Sequence, residues 1–91
     1  MEAIGPGTLK IIVATDGAIA DAIEHNLRTI APDVLRLNET SWLAFGEAEP
    51  SAIRDALSAK HPDAHLIVAE FERWSSHGAS IDSEWLLRRG H

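Results

Sequence analysis

The hydrophobic positions of this chain fall into two rhythms that alternate along its length. "LKIIVAT", Leu9 to Thr15, is β-branched and apolar at both odd and even positions, the pattern of a strand covered on both faces. From Ala18 the rhythm changes: Ile19, Ile23, Leu27 and Ile30 recur at helical spacing, and Pro32 stops the helix. Val34 to Leu37 predicts a second strand. The turn residues "NETS", Asn38 to Ser41, join it to a third strand, "SWLAFGE". Pro50 suits the first turn of a second helix, with Ile53, Ala56 and Leu57 as its inner stripe up to His61 and Pro62. His65 to Phe71 predicts a fourth strand, followed by a Ser/Gly loop and a short tail carrying Trp85, Leu86 and Leu87.

Shifted by thirty residues, the chain falls on itself. Ala22, Ile23, Leu27, Pro32 and Asp33 meet Ala52, Ile53, Leu57, Pro62 and Asp63, and Val13 and Ala14 meet Leu43 and Ala44. Two β-α-β units repeated in this way predict an α+β, ferredoxin-like split β-α-β fold, βαββαβ plus a C-terminal tail. Right-handed crossovers put both helices on one face of an antiparallel sheet, with the first and third strands central and the second and fourth at the edges. Residues 1–8, with Gly5, Pro6 and Gly7, are expected to form a flexible leader. Residues 9–91 are expected to form one domain, of which 74–91 is a tail available for dimer contact.

Size sharpens this picture. A 91-residue domain buries only roughly 60–65% of the surface its unfolded chain exposes, so burying more in a dimer is favoured. The apolar strand "HLIVAEF" at a sheet edge invites pairing, and a two-fold dimer is expected, with the tail covering or exchanging across that edge. Phe71, Trp74, Trp85 and Leu86 are the expected dimer or partner contacts. Glu70, alternating against Ala69 and Phe71, should face solvent or a partner's arginine. No basic segment followed by an apolar one opens the chain, and no apolar run approaches the ~20 residues that span a bilayer. A soluble, cytoplasmic protein with no membrane partner is therefore expected. With no cysteine, disulfides, thiolate zinc sites and cysteine nucleophiles are excluded.

Charge weighs against nucleic acid as the main partner. Fourteen acids against eight Lys+Arg give a net charge of −6, whereas phosphate contacts dominate nucleic-acid affinity. The exception is a tail cluster, Arg73, Arg88 and Arg89, which either contacts nucleic acid or pairs with Glu72, Asp82 and Glu84. Trp42, Trp74 and Trp85 could stack on bases, but core and interface packing is their commoner use. Asp16, where the first strand hands over to a helix, has two readings. Its carboxylate caps the helix, or it holds a metal ion as a catalytic residue, with a two-fold axis doubling the oxygens available to magnesium. His61 and His65 flank Asp63, but Pro62 breaks the helical spacing that lets such pairs chelate. His25, His77 and His91 lack partner spacing. Ser75, Ser76 and Ser80 lie in no Gly-x-Ser-x-Gly elbow, and Gly5, Gly7 and Gly17 form no phosphate loop.

Three stretches carry a family resemblance. "IIVATDG", ending in Asp16, "NETSWLAFGEAEPSAIRDAL", and "HLIVAEFERW" with "SEWLLRRG" together resemble the small CRISPR-associated adaptation proteins and their VapD-type and SinR-like relatives. The resemblance implies a homodimer built through sheets and C-terminal tails. In some members it implies a metal-dependent endoribonuclease whose metal lies between two copies of the first-strand Asp. The expected function is thus a small, acidic, dimeric protein-interaction module of a prokaryotic or phage system, non-catalytic and without cofactor, binding itself and another protein. The alternative is a magnesium-dependent nuclease using Asp16 from both subunits. A third reading is a single-strand nucleic-acid binder using the tryptophans and tail arginines.

Overall fold

The β-branched run near the start of the chain forms β1 (Thr8–Ala14), a central strand of a four-stranded antiparallel sheet. The computed structural model describes residues 7–75 and 83–87. A 3-10 turn (Gly17–Ile19) leads from β1 into α1 (Ala20–Ile30), followed by β2 (Asp33–Asn38) and β3 (Ser41–Gly46). Then come α2 (Pro50–Lys60), β4 (Leu66–Phe71) and a short α3 (Ser83–Leu87). The strands lie in the order β2-β3-β1-β4, every neighbouring pair antiparallel. This is an α+β fold of the ferredoxin-like split β-α-β form. No helix among the described residues is long and apolar enough to cross a membrane.

Both long helices lie on one face. Ile23 and Leu27 of α1 and Ile53 and Leu57 of α2 are fully buried with Ile12, Ala14, Trp42 and Ala44 of the central strands. The thirty-residue shift survives through the helices: Ala20–Ile30 maps onto Pro50–Lys60, and Ala14 and Ala44 share the helix side. Beyond the helices it fails. Asp33 opens β2 directly, whereas Asp63 sits in a turn closed by Ala64 N donating to His61 O at 2.9 Å, and β4 waits until Leu66.

Several boundaries differ from the sequence expectation. The first strand begins at Thr8, inside the expected leader, because Thr8 pairs with Gly46 of β3. Ser41, shared in the sequence between the turn and the third strand, opens β3. The Asn38 carboxamide oxygen accepts from Thr40 N at 2.8 Å and Ser41 Oγ at 2.9 Å, which tightens the reversal to Glu39 and Thr40. Gly46 is required by a close approach: a Cβ there would stand 2.8 Å from Pro32 Cδ, where the exit of α1 passes the end of β3.

The second face of the sheet is also apolar. Leu9, Leu43 and Phe45 are buried there beneath Leu86 of α3, with Ile11, Leu35, Leu37, Phe71, Trp74 and Trp85 half-buried around them. Of the expected tail, Leu86 is buried on this face, with Trp74 and Trp85 half-buried beside it. The cause is the apolar character of β1 and β3 on both sides. Left bare, each large side chain of that face would forfeit about 1.5–3 kcal/mol of burial.

Candidate functional site

Asp16 lies just past the end of β1 with extended backbone, and its Oδ1 accepts from Ala18 N at 2.9 Å. The carboxylate therefore organises the 3-10 turn that launches α1, as a capping residue does. Among the described residues, no three His, Asp or Glu side chains gather as a metal-ligating group. His61 Nε2 lies 2.7 Å from Asn26 Nδ2, a bond that ties the exit of α2 to α1. The nitrogen accepts from the amide there, so it is not presented to a metal.

Two polar networks were not foreseen. Lys10 is fully buried on the helix side of β1, with Nζ donating to Gly46 O at 2.6 Å, Thr8 O at 2.9 Å and Thr8 Oγ1 at 3.1 Å. The Thr8 hydroxyl donates onward to Glu70 Oε1 at 2.8 Å. Burial holds the Lys10 ammonium below the usual lysine range, and the Glu70 carboxylate opposes that shift. The second network surrounds Trp42, whose Nε1 donates to Glu24 Oε1 at 3.0 Å beneath the Arg36 guanidinium, 5.7 Å from the ring centroid. Arg36 also pairs with Asp21 at 2.8 Å. Fully buried, Trp42 offers no face to a base.

The accessible feature is the outer edge of β4, and the ladder fixes what it presents. Thr15 N donates to His65 O at 3.0 Å, and the same register continues through Val13↔Ile67, Ile11↔Ala69 and Leu9↔Phe71. Bonded and non-bonded pairs alternate in an antiparallel ladder, so the odd-numbered residues of β4 bond inward to β1. The amides and carbonyls of Leu66, Val68 and Glu70 point away from the sheet. Across β1, Ala14 N donates to Thr40 O at 2.7 Å, so even-numbered residues serve β3, as the alternation requires.

The opposite edge is closed. By the same alternation Val34 and Arg36 of β2 turn their backbone groups outward, and the Val34 carbonyl accepts from Arg28 Nη1 at 3.3 Å. A register shift between Arg36 and Asn38 then interrupts the pairing, and the Arg36 side chain folds back onto the Asn38 and Glu39 carbonyls. These are recognised protections of an edge strand. Among the described residues, the β4 edge has none of them. Among the described residues, no hydrogen bond reaches the outward backbone groups of Leu66, Val68 or Glu70. Ile67 is 69% exposed beside Val13 at 38%, and both line a shallow groove with Thr15, Arg54, Ser58 and His65.

The residues singled out from the sequence are thus dispersed. Glu70 is exposed at one end of β4, beside Lys10 in the register. Phe71, Trp74, Trp85 and Leu86 share the second sheet face. Arg73 is exposed after β4, and Arg88 and Arg89 lie outside the described residues. Ile67 and Val68 were not distinguished within "HLIVAEF", because which residues of a strand face outward depends on its register with β1. No protein-family model matches the chain, and no curated protein matches it.

Proposed function

We propose that this chain is a small protein-interaction module that joins a second copy of itself through the outer edge of β4. The observation that carries the reading is the asymmetry of the two sheet edges. One is capped by Arg28 and broken by a register shift, while the other presents a six-residue strand whose outward backbone groups meet no hydrogen bond among the described residues, and an exposed isoleucine. Such an edge is a template for another strand. The family resemblance points the same way, since it implies a homodimer. The module binds rather than catalyses, and the dimer is the unit it offers to other proteins.

Light scattering at micromolar concentration tests this, with a mass twice the 9.9 kDa of one chain expected. Val68→Pro removes an outward amide and leaves the inward ladder intact, so a folded monomer is expected. Ile67→Lys, at an exposed position, should act the same way by placing a charge on the edge. A monomeric wild type, or dimers undisturbed by both substitutions, would overturn the reading.

A further inference from the structure

The parity of the β4 ladder does more than mark the edge as open; it restricts how two copies can meet. Resting on the edge-mediated dimer above, we propose that the two β4 strands pair antiparallel in the register centred on Val68. Val68 then faces Val68 of the partner subunit, Leu66 faces the partner's Glu70, and Ile67 faces the partner's Ala69.

Two-fold symmetry allows only antiparallel registers in which a residue number and its partner's sum to a constant. Because the free groups belong to Leu66, Val68 and Glu70, an odd sum sets each outward-bonding residue against one already bonded inward to β1. Those registers form no ladder. Among the even sums, the Val68-centred register brings all three outward residues opposite one another, giving roughly six hydrogen bonds at two per bonded pair. A centre at Ile67 or at Ala69 leaves one outward residue beyond the end of the partner strand, with roughly four bonds inside β4.

Side chains and charge agree with this choice. On the second sheet face, small Ala69 lies opposite Ile67 of the partner subunit. That leaves room for this exposed isoleucine to lean toward its diagonal neighbours, the partner's Ile67 and the partner's Phe71. Two β-branched valines meet on the helix side. Glu70 carries the one formal charge within β4, and the register decides how far its two copies stand apart. They are about 13 Å apart along the strands when the centre is Val68, but about 7–8 Å apart, as diagonal neighbours, when it is Ala69. The acidic chain is thereby spared its closest like-charge contact.

The absence of cysteine makes the register readable by disulfide mapping. Ile67→Cys and Ala69→Cys substitute exposed positions on one face. In the Val68-centred register they form a non-hydrogen-bonded cross-pair, whose Cα separation of about 4.5 Å lies within disulfide reach. Oxidising an equimolar mixture of the two proteins should give the mixed disulfide, and neither protein alone should link to itself. Self-linking of Ala69→Cys would place the axis at Ala69, and self-linking of Ile67→Cys would place it at Ile67; either overturns the register and leaves the edge-mediated dimer standing. A dimer by light scattering that forms none of the three disulfides overturns the register, and its response to Val68→Pro and Ile67→Lys then decides whether β4 is the interface. Monomeric wild-type protein overturns both readings.

Discussion

At the scale of single residues, two charged side chains do opposite kinds of work. Asp16 is exposed and spends its carboxylate on the Ala18 amide. Asparagine caps about as well as aspartate, so Asp16→Asn should be nearly silent, whereas Asp16→Ala should cost about 0.5–2 kcal/mol in chemical denaturation. Magnesium should leave the melting temperature unchanged, because a ligand stabilises only by binding the native state. Magnesium-dependent stabilisation lost in Asp16→Asn would reassign the residue to metal binding. Lys10 is the contrary case, a cation held inside the sheet. Its folded pKa is lowered, chiefly by burial, so between the folded and unfolded values the unfolded chain carries more protons. Stability should therefore rise as pH climbs through that window. Lys10→Met removes the titrating group, and the alkaline rise should vanish from urea titrations carried out below the ordinary lysine value of 10.5. The substitution itself should cost about 1 kcal/mol or less at neutral pH, since the register pairs Thr8 with Gly46 and their carbonyls keep partners in the ladder.

At the scale of elements, the helices were the most legible part of the chain. Ile23 and Leu27, and thirty residues later Ile53 and Leu57, occupy one buried stripe each because a 3.6-residue period leaves no other face for them. All four are fully buried, so Leu27→Ala and Leu57→Ala should each destabilise by about 2–5 kcal/mol. Near-zero losses at both would mean that the helices do not close this core. The strand order was legible for a similar local reason: "KIIVA" and "WLAF" are apolar on both sides and belong at the centre. What covers their second side was not. The sequence shows that β1 and β3 need burial on both faces, but α3 is five residues long, and nothing in its spacing says which surface it joins. Lys10 was passed over because its acceptors come from Thr8 beside it and from Gly46, thirty-six positions away. The open edge was recognised as a strand, but its outward residues were not, because parity appears only once Thr15 is seen to bond His65.

At the scale of the whole molecule, the proposed β4 dimer and a nuclease sharing one metal between two copies of Asp16 would exclude one another. Asp16 follows Thr15, which pairs with His65 at the start of β4. In the Val68-centred dimer the two copies of that end lie about eight residues apart along the strands and about three strand spacings across them. That separates the two Asp16 carboxylates by roughly 25–30 Å, so a metal shared between them requires a different interface. Charge offers an independent test of the β4 dimer. Each subunit carries −6, and two such charges about 25 Å apart repel by roughly 6 kcal/mol in unscreened water. The Debye length falls from about 30 Å at 10 mM salt to about 8 Å at 150 mM. Most of that repulsion is then removed, while backbone pairing and Ile67 burial are little affected. The dimer should accordingly tighten by on the order of tenfold in Kd across this range, read by sedimentation at several concentrations. Nucleic-acid binding through Arg73 and the tail arginines has the opposite sign, because each phosphate contact releases counterions and weakens as salt rises. A dimer that loosens with salt would mean that ion pairs, not the β4 backbone, hold the two copies together.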